Sequence, residues 1–400
     1  MRILLLAALL LGAVNAATLP QLIESARTKQ PTLQEIKLRI AAADYAISRA
    51  KNFDNPMLGI GVNDIRLDRP ADRSLERMQT QYVTFSQKIP WFGKRDARRA
   101  LSEAAKSYVF ASLKEAEAVL FAKIRQSAYR LWEIERLIGV TRRTVALTEQ
   151  NIELFEAYTA SGESGNTHMG IISAELVKSR LKTSLQRLEA ERRAALALLG
   201  YLSFAEVKSL KIELEERELP PLERLLSKSE SSPAVRLQKA KRKIEQSRLE
   251  IYRLKGKIDP VVRLGYYQRS SFEDYLSIGV GLSLPVYGTE KSLEEEQRVA
   301  LAAQKLMVID SKRRVAARLE KLYARAKSSR EILHIIEKES IPQIDHMFDL
   351  IRSEIAAGGD LYKFVDLVEQ KLKLDAEAIS ARAKYYMTLA EIEAILGEKI

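Results

Sequence analysis

The sequence contains one long internal repeat. Three landmarks recur, separated by 204, 195 and 197 residues, namely Pro56 and Pro260, Pro90 and Pro285, and Gly200 and Gly397. Each proline of the first pair opens an apolar segment, each proline of the second pair ends one, and each glycine closes a Leu-Gly dipeptide. A repeat of this length holds several secondary-structure elements, which indicates a duplicated unit rather than a short solenoid repeat. We therefore expect both halves to form the same kind of structure.

The N-terminus, residues 1–16, is predicted to be a cleaved signal peptide. Arg2 supplies the positive charge, residues 3–14 are apolar or glycine, and Ala16 is a small residue at a site that a signal peptidase reads. The mature chain is then expected to begin at Ala17 and to be exported. The apolar stretch is shorter than the ~17–25 residues that a membrane-spanning helix needs, which argues against a membrane anchor.

Composition excludes several kinds of function. The chain has no cysteine, so disulfides, thiolate metal sites and cysteine nucleophiles are absent. Its net charge is +12, but the charges of both signs are interspersed, which is typical of solvated helix faces and not of a nucleic-acid-binding surface. Three scattered histidines, His168, His334 and His346, lack the spacing of a zinc site. No catalytic, metal or cofactor site is predicted, and the chain is not expected to be an enzyme.

The clearest strand pattern lies in the second half. Large apolar residues alternate there with small ones: Leu276, Ile278, Val280, Leu282 and Leu284 against Ser277, Gly279, Gly281 and Ser283. Strict alternation predicts a β-strand with one apolar face. A soluble β-sandwich would bury that face against a second sheet, whereas a transmembrane barrel would turn it to lipid and the smaller face to a lumen. The alternation alone leaves both readings open.

The number of strands predicts an oligomer. Four segments have strand character: residues 56–63, 82–89, 260–268 and 275–284. Four strands cannot close a barrel, and lipid does not tolerate open sheet edges. If the sheet spans a membrane, several chains must pool their strands, and three chains would supply twelve, an even number within the known range.

Two very long helices are predicted, over residues 93–162 and 288–359, with Pro342 expected to kink the second near its far end. The first would reach on the order of 100 Å at ~1.5 Å per residue. Glycine-containing breaks end both helices, and a returning helix follows each break. Helices of this length are typical of coiled coils and bundles.

Two repeats, residues 17–203 and 204–400, are therefore expected, with residues 201–232 as a connector of unassigned function. Aromatic residues follow the second strand of each repeat, namely Trp91, Phe92 and Tyr287. Trp and Tyr favour membrane–water interfaces, although packing at a strand-to-helix corner would also explain them.

The duplicated helix–strand–strand–helix–helix plan, the run Pro90-Trp91-Phe92-Gly93-Lys94-Arg95 and the Leu-Gly endings resemble the TolC-like outer membrane efflux protein family. The run is most similar to the heavy-metal and cation efflux branch, and the resemblance covers residues 17–400. It implies a mainly α-helical homotrimer with a shared twelve-stranded outer membrane β-barrel and an α-helical periplasmic tunnel. It further implies a periplasmic adaptor and an inner-membrane transporter of the resistance-nodulation-division type as partners, with no catalytic activity and no cofactor.

The resemblance also implies roles for individual residues. The glycine breaks would be the tips that contact the adaptor, through Gly162, Ser164, Gly165, Gly358 and Gly359. Asp366 would contribute to an acidic ring at the periplasmic gate, with Asp360 as a second candidate because the neighbouring acidic position is Lys363 here. A solvent-facing aspartate near a helix start is the alternative for Asp366. The lumen wall would include Ser277, Gly279, Gly281 and Ser283.

The expected function is therefore a passive outer membrane exit duct of a tripartite efflux pump, associated with heavy-metal resistance, that conducts metal cations or small toxic compounds. Two alternatives remain open. The first is an outer membrane duct of a type I protein secretion system, and the second is a periplasmic coiled-coil scaffold that forms no channel.

Overall fold

The computed structural model describes residues 17–73, 77–160, 166–355 and 361–400, so the predicted signal peptide lies outside the described residues. The chain forms two compact units. Among the described residues, one holds residues 17–34 together with those of residues 114–233 and 314–400, and the other holds those of residues 35–113 and 234–313. Each compact unit therefore contains parts of both sequence repeats.

Most of the chain is helical, as predicted. The α-helices are α1 Leu19–Lys29, α2 Pro31–Ala50, α3 Lys94–Ala160, α4 Asn166–Ser203, α5 Leu222–Lys228, α6 Pro233–Lys255, α7 Thr289–Ile335, α8 Ile341–Ile355 and α9 Leu361–Leu396. Helix α3 has 67 residues, about 100 Å at ~1.5 Å per residue, because no proline interrupts it. Pro31 opens α2, a position at which its missing N–H costs nothing. No helix in the described ranges is long and apolar enough to cross a membrane.

The second long helix is irregular near Pro342, where the sequence predicts a kink. A π-helical turn, Ile336–Ser340, separates α7 from α8 and ends two residues before the proline. A proline inside a helix removes one backbone hydrogen bond and its ring collides with the carbonyl four residues earlier, here residue 338. The wider π-turn contains that carbonyl, which gives a physical reason for its position.

A four-stranded antiparallel sheet lies in the second compact unit, in the order β2–β3–β5–β6. Its strands are β2 Met57–Asn63, β3 Thr80–Lys88, β5 Pro260–Arg269 and β6 Tyr275–Leu282. The four predicted strands are confirmed, with ends that differ by at most two residues. The structure adds a two-residue parallel pair, β1 Ala17–Thr18 with β4 Leu210–Lys211, which is too short to produce a recognisable alternation.

The connector packs against the helices of the first compact unit. The hydroxyls of Tyr385 and Tyr386 in α9 donate to the backbone carbonyls of Arg217 and Glu215, at 2.7 and 2.6 Å. The buried carboxylate of Glu393 lies 2.9 Å from the Arg217 guanidinium. These contacts give residues 201–232, to which the sequence assigned no role, a structural one.

Candidate functional site

The two hairpins of the sheet have the same register. In β2–β3, Met57 lies opposite Ser86, and in β5–β6, Val261 lies opposite Gly281. Met57 and Val261 are 204 residues apart, and Ser86 and Gly281 are 195 apart, which are the separations of the sequence landmarks. The duplication therefore preserved the pairing of each hairpin to the residue.

One face of the sheet is apolar and exposed. Two rows of large apolar side chains cross all four strands: Ile60, Val83, Tyr266 and Leu276, and Leu58, Phe85, Leu264 and Ile278. Leu276 and Ile278 are each 78% exposed, although a soluble sheet would bury such a face in its core. A contiguous exposed apolar surface of this kind marks contact with lipid or with another protein.

The opposite face is lined by small and polar residues. Ser277, Gly279 and Gly281 lie on this face of β6, as the alternation predicts, and Ser283 follows one residue after the strand ends. A side chain added at Gly279 would meet no atom within 4 Å. The predicted wall residues therefore share one face with open space beside it.

Three tyrosines form a row on the small-residue face. The rings of Tyr82 and Tyr267 are 5.7 Å apart, and those of Tyr267 and Tyr275 are stacked at 4.8 Å. Gly61 and Gly265 lie beneath this row, since a Cβ at Gly61 would be 2.4 Å from the Tyr82 hydroxyl and one at Gly265 2.6 Å from the Tyr267 ring. The sequence alone does not reveal this row, because the cross-strand neighbours of a residue are known only once the register of the strands is known.

The sheet has two open edges. Within the described part of the chain, β2 pairs only with β3 and β6 pairs only with β5, so the outer backbone N–H and C=O groups of both edge strands face no partner strand. Such groups cost several kcal/mol each in hydrocarbon. An apolar-faced sheet with open edges is therefore incomplete in lipid until another strand pairs with each edge.

A charged cluster joins β3, β5 and α3 at one end of the sheet. The Asp259 carboxylate lies 2.8 Å from Lys94 Nζ and 3.4 Å from Lys88 Nζ, and it accepts the Trp91 backbone N–H at 3.2 Å. Burial raises the pKa of Asp259, but the hydrogen bonds from Lys94 and from Trp91 N–H lower it further, so the pKa lies below its usual value. The equivalent of Asp259 in the first repeat is Asn55, which is neutral.

The aromatic residues after β3 and β6 are exposed. Trp91, Phe92 and Tyr287 are 61%, 56% and 94% exposed, so they are not packed into a strand-to-helix corner. Phe92 has a left-handed backbone with φ of 54°, and Gly93 follows with φ of 76°, which turns the chain from β3 into α3. Their predicted position at a membrane interface stays a prediction.

The gate candidate Asp366 lies on the exposed face of α9, where it accepts a 2.7 Å hydrogen bond from Gln370. Its neighbours Phe364, Val365 and Val368 belong to the buried core that α9 shares with α3 and α4. This places the carboxylate on the face opposite that core.

The second gate candidate and the predicted adaptor contacts lie outside the described residues: Asp360, Gly162, Ser164, Gly165, Gly358 and Gly359. Among the residues that the structure describes, no group of three or more His, Asp or Glu side chains could hold a metal ion.

Comparison with solved structures identifies the architecture. CusC, whose crystal structures concern folding and transmembrane channel formation, superposes with a TM-score of 0.79 at 11% identity over 95% of this chain and 92% of that chain. The MtrE outer membrane channel of Neisseria gonorrhoeae, in its open state, superposes with a TM-score of 0.78 at 15% identity, over 95% of this chain and 89% of that chain. This chain has the fold of outer membrane channels.

The outer membrane protein VceC of Vibrio cholerae gives a TM-score of 0.79 at 14% identity, covering 95% of this chain and 96% of that chain. No family model matches the sequence, and no curated protein matches it. At these low identities, the likeness to the outer membrane channels shows the fold.

Proposed function

We propose that this protein is a passive outer membrane channel, the exit duct of a tripartite efflux pump. Three copies would pool their strands into a twelve-stranded barrel, and their long helices would form a tunnel through the periplasm. The observation that carries the proposal is the four-stranded sheet, which exposes a continuous apolar face and leaves both edges unpaired among the described residues. Lipid contact explains the apolar face, and neighbouring copies explain the edges.

The internal repeat specifies how copies would join. Inside the chain, β3 of the first hairpin pairs with β5 of the second, and Tyr82 lies opposite Tyr267. In the repeat, β6 is the equivalent of β3, and β2 is the equivalent of β5. If copies join as the two hairpins do inside the chain, β6 of one copy pairs with β2 of the next. Tyr82 corresponds to Ser277 and Tyr267 to Asn63 at the separations of 195 and 204 residues. We therefore expect Ser277 to lie opposite Asn63 of the neighbouring copy.

The number of copies follows from the width of the barrel. Two copies would give eight strands, and the interior of an eight-stranded barrel is largely filled by side chains. Three copies give twelve strands and a wider lumen, and the glycines and serines on the small-residue face of β6 would leave that lumen open. The structural likeness to outer membrane channels supports the same arrangement.

The resemblance to the efflux family supplies the partners: a periplasmic adaptor at the glycine-containing breaks and an inner-membrane transporter that provides the energy. Metal cations or small toxic compounds are the cargo that it implies. In the trimer, Asp366 would form a ring of three carboxylates that narrows the periplasmic entrance, and a ring of like charge attracts cations, which can then block the narrow passage. Asp366→Ala should then raise single-channel conductance and reduce block by cations, whereas unchanged values would remove Asp366 from the gate.

The test of the proposed function combines extraction with conductance. We expect the protein to remain in the outer membrane after osmotic shock, to travel in detergent with the mass of three chains, and to form channels in planar bilayers. A periplasmic scaffold would instead be released by osmotic shock and leave lipid vesicles intact. A monomer that is soluble in plain buffer and forms no channels would refute the proposal.

A further inference from the structure

The strands of the sheet carry charge of one sign only. Strands β2, β3, β5 and β6 contain three basic residues, Lys88, Arg263 and Arg269, and no Asp or Glu. All three basic residues occupy positions on the small-residue face, which the proposed function assigns to the lumen. The wall of the pore therefore has an excess of positive charge.

Two of the three basic side chains, those of Lys88 and Arg269, interact with groups near the ends of the strands. Lys88 lies 3.4 Å from the carboxylate of Asp259. The guanidinium of Arg269 donates two hydrogen bonds to the Glu273 backbone carbonyl, at 3.0 and 2.7 Å, and lies 5.0 Å from the centre of the Tyr275 ring. These contacts hold both side chains close to the ends of the strands.

Arg263 is different. Its side chain is exposed, and within the described residues the guanidinium makes no hydrogen bond or ion pair. Its cross-strand neighbours are Ser86 and Gly279, and its guanidinium lies 3.7 Å from the position that a Cβ at Gly281 would occupy. Because both β6 neighbours are glycines, no side chain covers the guanidinium.

A neighbouring copy would not neutralise this charge. In the register set by the internal repeat, Gly279 and Gly281 face Gly61 and Gly59 of the next β2 strand, and β2 contains no carboxylate. An arginine side chain keeps its charge at every physiological pH. Three copies would thus place three permanent, unpaired positive charges on the wall.

We propose that Arg263 is a specificity-determining residue of the pore and that it favours the passage of anions over cations. The inference rests on the proposed function, because it requires the small-residue face to line a water-filled lumen. A ring of like charge in a narrow pore raises the local concentration of ions of opposite sign. Anionic solutes, and cations carried as anionic complexes, would then cross the barrel more readily than free cations, in contrast to the free-cation cargo that the family resemblance implies.

The test measures the zero-current potential of purified channels in planar bilayers under a potassium chloride gradient. Arg263→Gln should lower the ratio of chloride to potassium permeability by roughly threefold, since surface potentials of a few kT change local ion concentrations by such factors. Arg263→Glu should lower it further, and Arg263→Lys should retain the wild-type ratio because it keeps the charge. Arg66→Gln, in the loop between β2 and β3, removes an exposed arginine without changing the strands and should leave the ratio unchanged.

Salt dependence separates charge from pore size. The difference between wild type and Arg263→Gln should shrink when the salt concentration rises from 0.1 M to 1 M, because the screening length falls from about 10 Å to about 3 Å. A steric effect of the shorter side chain would persist at high salt and would overturn the proposal. Trimeric channels whose permeability ratio is the same in wild type, Arg263→Gln and Arg263→Glu would also overturn it, while leaving the proposed function intact. Failure of wild type to form channels would refute the proposed function itself.

Discussion

The two hairpins of the sheet share one backbone plan but differ most on one face. On the apolar face both have large hydrophobic residues, such as Leu58 and Ile60 in the first and Leu276 and Ile278 in the second, although Gln81 and Gln87 stand where β6 has Leu276 and Leu282. On the opposite face, β3 carries Tyr82, Thr84, Ser86 and Lys88, and the corresponding residues are Ser277, Gly279 and Gly281 in β6 and Ser283 just after it. Under the proposed function, lipid would require apolar residues in both hairpins, whereas a water-filled lumen would tolerate different small and polar residues.

The barrel would contain two kinds of seam: the pairing of β3 with β5 inside the chain, and the proposed pairing of β6 with β2 between copies. The difference between the hairpins makes these two seams unequal. The seam inside the chain, between β3 and β5, contains the tyrosine contact and the Asp259 cluster. In the seam between copies, Ser277 and Asn63 would take the places of Tyr82 and Tyr267. The charged residues Lys88, Lys94 and Asp259 would be replaced there by Ser283, Thr289 and Asn55. We therefore expect the internal seam to be the more stable one and the seam between copies to depend mainly on backbone hydrogen bonds.

The largest expected effect comes from placing a charged residue on the apolar face of the sheet. Ile278→Lys places a charge on the proposed lipid face at a cost of about 2–4 kcal/mol per copy if the site lies near the bilayer midplane. We expect it to abolish membrane assembly, measured as folded trimer recovered from the outer membrane. Ser277→Lys, one residue away on the opposite face, is the matched control and should assemble. If both variants assembled equally well, the assignment of the faces would be wrong.

The next effect concerns the tyrosine row. Gly265→Ala would push a methyl group against the Tyr267 ring, which Tyr275 already holds by stacking. We expect this overpacking to destabilise the sheet by about 1–3 kcal/mol, measured as a lower thermal midpoint of the trimer in detergent. Gly279→Ala, at a position with open space, should leave the midpoint nearly unchanged. Equal midpoints for the two alanine variants would show that the row does not stabilise the sheet.

A smaller effect is expected at the internal seam. Asp259→Asn should lower stability by about 1 kcal/mol near neutral pH, because it weakens the charged hydrogen bonds with Lys94 and Lys88. Since folding lowers the pKa of Asp259, its contribution is complete above the unfolded-state value of about 3.9 and is lost as the pH falls through the lower folded-state pKa. Wild type and Asp259→Asn should therefore converge in stability in that acidic range. A constant difference down to the lowest pH would exclude the carboxylate charge as the cause.

The sequence predicted most of the secondary structure, since periodicity and proline positions are local information. The alternation at Leu276 and Ser277 predicted both the strand and its two faces, and the lack of proline from residue 93 to residue 162 indicated the long helix. The π-turn before Pro342 was predicted only as a kink, because sequence does not show how a helix absorbs a proline. The two-residue pair of β1 and β4 depends entirely on tertiary contacts.

The contacts of the candidate site were harder to predict from the sequence. Asp259 and Lys94 are 165 positions apart, and only the folded chain brings them to 2.8 Å. The charge of Arg263 was visible in the sequence, but its lack of a partner depends on the two glycines beside it in β6. The predicted wall residues of β6 were found because they alternate within a single strand, which requires no knowledge of the register.

The central claim is that neighbouring copies complete the wall, with β6 of one copy paired to β2 of the next. Since the chain has no cysteine, the double variant Ser277→Cys with Asn63→Cys introduces the only thiols. These residues would form a non-hydrogen-bonded pair, with Cβ atoms about 4.5–5.5 Å apart, a spacing that permits a disulfide after slight adjustment. Gly279→Cys with Asn63→Cys shifts the pair by two residues, to a diagonal distance of about 7–8 Å.

The decisive measurement is therefore oxidation of both double variants in native membranes, followed by denaturing electrophoresis without reductant. The account predicts a covalently closed trimer for Ser277→Cys with Asn63→Cys and little cross-linking for the shifted pair. Chains that stay monomeric in both variants, or that cross-link better in the shifted pair, would contradict it.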